Sequence, residues 1–259
     1  MKLLSVARDL RRRKARERQQ LFVAEGVRAV DELLRSTVQI SGVLIGPQFD
    51  EHSRAPAINA LIADRSIPEQ RVDFREFASA AETDSPQGIL AIAEVPAWSL
   101  ASLETPAKAR LLVLDGVQDP GNVGTMVRTA EALGVTATYA LPGTVDLWNP
   151  KVVRSGMGSH FRHPCMVGTW DELDPFRGSR DFSVWGADAS GVPLSGGASP
   201  PNRLALVVGN EGAGLSAESR RRIDRMVALP ISPSVESLNV AVATGILLYE
   251  LRQTGGGEA

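Results

Sequence analysis

The chain has a single cysteine, Cys165, in 259 residues, so no disulfide can close within it. No apolar run approaches the roughly 20 residues that span a bilayer. The opening MKLLSVARDLRRRK puts its apolar residues ahead of its charges and has no long apolar core, unlike a secretory leader. These absences point to a reducing cytoplasm. No Gly-rich turn ends in Gly-Lys-Ser or Gly-Lys-Thr, which argues against a P-loop nucleotide enzyme. His52, His160 and His163 show no metal-ligand spacing with Cys165, so no metal is expected. Aromatic residues make up only 5% of the chain, and Trp98, Trp148, Trp170 and Trp185 lack the interleaving of a base-stacking platform; they read as packing residues.

A net charge of -2 argues against a uniformly basic nucleic-acid binder. Charge is nevertheless uneven. Arg8, Arg11, Arg12, Arg13, Lys14, Arg16 and Arg18 crowd one short segment. It is either a solvated helix face, part-neutralised by Asp9 and Glu17, or a phosphate-contacting patch. Lys151 and Arg154, after Trp148, carry the same two readings.

With 43% hydrophobic residues, the length suits one large domain or two small ones. From 20 to 95, helical spacing of Val27, Val30, Leu33 and Leu34 alternates with strand-like VQISGVLIG and GILAIAEV, a small α/β unit assigned to 1–96. The stretch 97–108, rich in Pro, Ala and Ser, reads as a linker. From 109 to 259 strands and helices alternate again, implying a mostly parallel sheet with helices on both faces. The charged SAESRRRIDRM reads as a helix, the final LNVAVATGILLYELRQ as a helix buried on several sides, and the GGGEA tail as mobile.

Three segments carry polar residues where chemistry is expected. In LDGVQDPGNVGTMVRTA an apolar strand stops at Asp115, and a Gly-rich turn delivers Asn122 and Arg128 into a helix. In open α/β sheets ligands sit at that carboxyl edge, where loops converge and helix N-termini offer N–H donors. Alternatively Asn122 is only a helix cap and Arg128 a solvated residue. In LVVGNEGAGLS a second apolar strand ends in Gly209, Asn210, Glu211, Gly212 and Gly214, where glycines open the backbone to a ligand and Glu211 can pair with an arginine. In ALPISPSVESLNVAVATGILLYE a Pro-rich loop leads through Ser237, Leu238 and Asn239 into the last helix; Ser237 or Asn239 would cap it or face a pocket.

Taken together, these segments resemble the three motifs of the SpoU/TrmH family of RNA ribose 2′-O-methyltransferases, in the SPOUT superfamily. Asn122 and Arg128 match the first motif, Gly209, Glu211 and Gly214 the second, and Pro230, Ser237, Leu238 and Asn239 the third. The likeness runs from Ala109 to Gln253. RRRKARERQQLFVAEGVRAVDELL and SPQGILAIAEV in turn resemble the small RNA-binding domain often joined to that catalytic domain. One departure stands out: in KVVRSGMGSHF, Gly156 occupies the position of the family's usual serine.

The resemblance implies a deep C-terminal trefoil knot that holds S-adenosylmethionine, contacted by Gly209, Leu229, Ile231 and Leu238, and a homodimer whose subunits complete each other's site. It implies that Arg128, Asn122, Glu211, Ser237 and Asn239 form the catalytic group, with Glu211 orienting Arg128. Because a guanidinium keeps its proton near neutral pH, Arg128 suits clamping a phosphate and stabilising alkoxide charge better than acting as a base. Arg11, Arg12, Arg13, Lys14, Arg16, Lys151 and Arg154 would contact RNA, with 23S ribosomal RNA favoured. Two alternatives stay open: a transfer-RNA 2′-O-methyltransferase, and a catalytically silent RNA-binding or ribosome-assembly protein of the same fold.

Overall fold

The computed structural model describes residues 2–194, 200–232 and 234–252; the GGGEA tail lies outside them. The chain forms two compact units, Met1–Ala97 with Asp146–Arg162, and Trp98–Val145 with His163–Ala259. The first thus takes in a segment from the range 109–259 that the sequence reading assigns to one domain.

In chain order the first unit opens with helices α1 (Leu3–Leu10) and α2 (Arg13–Gln19), strand β1 (Leu21–Glu25), α3 (Val27–Leu34) and β2 (Ile40–Ile45). It continues through α4 (Ala55–Asp64), β3 (Glu69–Arg71), α5 (Phe74–Ala80) and β4 (Ile89–Glu94). The sheet order is β1-β4-β2-β3, with β4 antiparallel to β1 and β2. Leu3, Leu4, Ala7 and Leu10 fall on one face of α1 and pack on Val23, Leu44, Phe77 and Ile92. That face is built by the helical period of the apolar residues. The returning segment Asp146–Arg162 stacks Trp148 and Phe161 on Phe22, with ring centroids 4.6 and 5.8 Å away.

The second unit contains β5 (Ala109–Asp115), α6 (Pro120–Ala132) and β6 (Ala137–Ala140); helix α7 (Pro150–Ser155) belongs to the first unit's returning segment. Then follow β7 (Cys165–Val167), α8 (Trp170–Ser179), β8 (Ser183–Pro193), β9 (Arg203–Gly209), α9 (Ala217–Arg220), β10 (Arg225–Ala228) and α10 (Val240–Leu251). Its six strands run in the order β10-β8-β9-β5-β6-β7, all parallel. The two central strands are buried nearly throughout, which accounts for their unbroken apolar runs. The proposed linker is not loose: Trp98, Leu100 and Leu103 pack against this unit's core.

SAESRRRIDRM is not one helix: α9 is a single turn, after which the Asp224 carboxylate accepts from the Val184 N–H at 2.7 Å and the chain enters β10. Helix α10 buries Ala241, Thr244, Leu247, Leu248 and Leu251 but leaves Val242, Ile246 and Tyr249 about half exposed in the single chain.

Candidate functional site

Asp115 and Gly209 are register partners at the carboxyl ends of the adjacent central strands, so the two following loops emerge side by side. The second loop folds back on itself, with Asn210 and Gly214 exchanging backbone hydrogen bonds of 3.0 and 2.9 Å. A Cβ on Gly209 would lie 2.4 Å from the carbonyl of Gly214, so only glycine permits that closure. Asn210 donates to the Gly116 carbonyl at 2.9 Å and fastens this loop to the first one.

Asn122 is not the cap of α6. Asp119 takes that place, accepting from the Asn122 N–H at 2.8 Å with Pro120 in the first turn. The Asn122 side chain is thereby released for longer-range contacts: its amide donates to Glu211 at 3.0 Å, and its carbonyl accepts from the Asn239 amide at 3.0 Å. The Asn239 carbonyl in turn caps α10, accepting from the N–H groups of Ala241 and Val242 at 2.9 and 3.3 Å. One polar chain therefore joins all three motifs. Its direction is set at both ends, because an ionised carboxylate can only accept and helix N–H groups can only donate.

Burial works against ionisation of Glu211, but the hydrogen bond from Asn122 and those from backbone N–H groups outweigh it and hold the carboxyl below its usual range. Within one chain Glu211 makes no contact with Arg128, the arginine it was expected to orient; it holds Asn122 and approaches the N–H groups of Gln118 and Asp119. Arg128 lies exposed on α6, makes no hydrogen bond or ion pair with the described residues, and does not line the cleft.

That cleft, of about 590 Å³, opens beside the polar chain. Gly209, Leu229, Ile231 and Leu238 line it, together with Glu211, Ser237 and Asn239. Its size falls within the roughly 300–1,000 Å³ of small-molecule sites. The described residues lining it include three acids, Asp188, Glu211 and Glu236, and one cation, Arg220. Such a wall suits a ligand of net positive charge, and S-adenosylmethionine, with a sulfonium, an ammonium and one carboxylate, is one.

Sequence reasoning missed Asp188 and Arg220. Asp188 stands among small residues where β8 bulges: Gly186 pairs with Met226, but the next residue of β10, Val227, pairs with Val192. A charged residue amid Ala, Ser and Gly at a strand end was its only signal. Arg220 was hidden in a run of arginines, and nothing local sets it apart.

Among the basic residues of the first unit, Arg16 is too buried to serve as the expected RNA contact. It is 4% exposed, pairs with Asp146 at 2.6 Å, and donates to the carbonyls of Leu10 and Arg11. Arg11, Arg12 and Arg13 are exposed but paired with Glu82, Asp9 and Glu17, while Lys14 makes no ion pair with the described residues. Lys151 is exposed on α7 and Arg154 is half-buried there. Gly156 has a local cause: a Cβ there would lie 2.3 Å from Nδ1 of the buried His160 ring.

Residues 109–249 match the SpoU rRNA methylase family, and residues 5–91 match an MRM3-like substrate binding domain. The chain is 34% identical over 254 residues to the 23S rRNA (guanosine(2553)-2'-O)-methyltransferase RlmP of Bacillus subtilis, covering 95% of this chain and 94% of the relative. Among solved structures, an AdoMet-bound rRNA methyltransferase from Sinorhizobium meliloti superposes with a TM-score of 0.83 at 26% identity, covering 97% of this chain and 94% of that one. The SpoU methyltransferase AviRb of Streptomyces viridochromogenes, also in complex with AdoMet, superposes with a TM-score of 0.85 at 25% identity over 97% of both chains.

Proposed function

The chain belongs to the SpoU rRNA methylase family, and from this we propose that it methylates a ribose 2′-hydroxyl of structured RNA, with 23S ribosomal RNA as the substrate class and S-adenosylmethionine as the donor. The observation that carries this reading is the hydrogen-bonded chain Glu211–Asn122–Asn239 beside an acid-rich cleft. The cofactor supplies an activated methyl on a sulfonium. Gly209, Leu229, Ile231 and Leu238 hold it, largely through backbone and apolar contacts. Asn122 and Asn239 each keep one amide N–H beyond the chain itself, so this side of the site offers donors to a ribose or phosphate oxygen. Alignment of the acceptor hydroxyl supplies much of the rate.

Arg128 clamps the RNA phosphate and stabilises developing alkoxide charge. We infer that it does so in a homodimer. It lies on α6, α6 packs on α10, and α10 presents the apolar stripe Val242, Ile246 and Tyr249, whose burial a second copy would complete. A trefoil knot ending in α10, which packs on α6 and central β9, is the reading supported by the likeness to SpoU methyltransferases. Arg11, Arg12, Arg13, Lys14, Lys151 and Arg154 contribute RNA contacts: the exposed ion pairs of Arg11, Arg12 and Arg13, worth about 0–1 kcal/mol, exchange readily for phosphate, and Lys14 and Lys151 are exposed. Ribosomal RNA as substrate and the buried thiol of Cys165 fit a reducing cytoplasm.

Mapping 2′-O-methyl groups in ribosomal RNA from cells with and without the protein tests the reading. One position should lose its methyl when the protein is absent and regain it on incubation with purified protein and S-adenosylmethionine. No methyl incorporated into any RNA would leave a silent RNA-binding protein.

A further inference from the structure

Arg220 is the one cation among the described residues lining the cleft, and the carboxylate is the one anion of the cofactor. We propose that Arg220, held in place by Asp188, receives the carboxylate of the amino-acid end of S-adenosylmethionine. This rests on the reading that the cleft holds that cofactor.

The guanidinium is fixed before any ligand arrives. Its Nη2 donates to Oδ2 of Asp188 at 2.5 Å, and its Nε donates to the Leu215 carbonyl at 3.3 Å. Asp188 is fixed in turn, since its Oδ1 accepts from the N–H and hydroxyl of Ser190 at 2.9 and 2.6 Å. Its side chain is 16% exposed, whereas that of Arg220 is 44% exposed. The carboxylate is therefore occupied and largely covered, while the arginine keeps further N–H donors open to the cleft. Pre-organised arginine is suited to carboxylate, because its planar fork loses little entropy on pairing. Glu211 and Glu236, the two lining acids not paired with Arg220, would repel that carboxylate elsewhere in the cleft. Together they favour the sulfonium and ammonium while Arg220 orients the molecule.

Calorimetric titration of the wild-type protein, Arg220→Gln and Arg220→Lys with S-adenosylmethionine and with its decarboxylated analogue tests the contact. Wild type should prefer the intact cofactor by roughly 10- to 100-fold, the worth of a charge-assisted hydrogen bond. Arg220→Gln should bind both ligands alike, with the analogue's affinity close to wild type, which also shows that the cleft is folded. Arg220→Lys should recover part of the preference. Equal weakening of both ligands in Arg220→Gln would make Arg220 a structural residue and overturn the proposal. An unchanged preference, with only RNA binding weakened, would overturn it in favour of a phosphate contact. Failure of wild type to bind either ligand would overturn the cofactor reading itself, and this contact with it.

Discussion

Nδ2 of Asn239 donates to Oδ1 of Asn122 across 3.0 Å, joining residues 117 positions apart. The same Asn239 caps α10, so one side chain both ends a loop and orients the Asn122 amide. Asn239→Asp separates the two roles. Aspartate caps as well as asparagine, but its carboxylate cannot donate to Asn122. Thermal stability should stay near wild type while methyl transfer falls roughly 10- to 100-fold, the cost of a lost hydrogen bond to a polar group left unpaired. A parallel loss of melting temperature and activity would reduce Asn239 to a cap.

Arg128 is exposed and outside the cleft of its own chain. Arg128→Ala should abolish transfer yet leave S-adenosylmethionine binding near wild type by calorimetry. If the site is shared between subunits, mixing Arg128→Ala with Glu211→Gln and allowing exchange should restore part of the activity, since some mixed dimers then hold one intact site. No recovery on mixing would place Arg128 and Glu211 in one chain's site.

Gly156 and His160 should be energetically coupled. Gly156→Ser places a side chain against a ring that is fully buried and packed edge-on to Trp148, with centroids 5.7 Å apart. Overpacking of this kind costs about 1–3 kcal/mol. In denaturant unfolding, Gly156→Ser combined with His160→Ala should lose less stability than the sum of the single variants. Additive losses would mean that the ring does not explain the glycine.

The buried Arg16 and the exposed basic residues should behave oppositely. Arg16→Ala strands Asp146 and should cost about 3–5 kcal/mol of stability. Replacing Arg12, Arg13 and Lys14 together should barely alter stability but should flatten the salt dependence of RNA binding, by up to roughly one log unit of slope per lost phosphate contact. An unchanged slope would remove the basic segment from the RNA interface.

His163 should make the fold acid-sensitive. Burial lowers its pKa to about 4, with only partial opposition from Glu131, while Thr138 bonds its Nε2 at 2.9 Å. The folded state therefore favours neutral imidazole, and the unfolded chain takes up the proton first. The associated stability is present above pH about 6.5 and is lost as pH falls towards about 4, by up to roughly 3 kcal/mol. His163→Gln keeps a hydrogen-bonding side chain without the titration, so its stability relative to wild type should rise over that interval. A constant difference from pH 7 to 4 would contradict the shift.

Much of the architecture was readable in the chain itself, because burial on both faces of a parallel sheet demands unbroken apolar runs such as Leu111–Leu114 and Leu204–Val208, and loops at their carboxyl ends demand glycine and asparagine. The identities of Asn122, Glu211 and Asn239 could be read there too, together with the likeness to a methyltransferase family. Their connections could not. Periodicity reports burial along one element, whereas hydrogen-bond partners depend on which strands become neighbours. Placing β5 beside β9 gave Glu211 to Asn122 rather than Arg128. The same limit hid Arg16, whose segment looks solvated until Asp146 returns to it, and Arg220, which only the bulge carrying Asp188 sets apart from the arginines beside it.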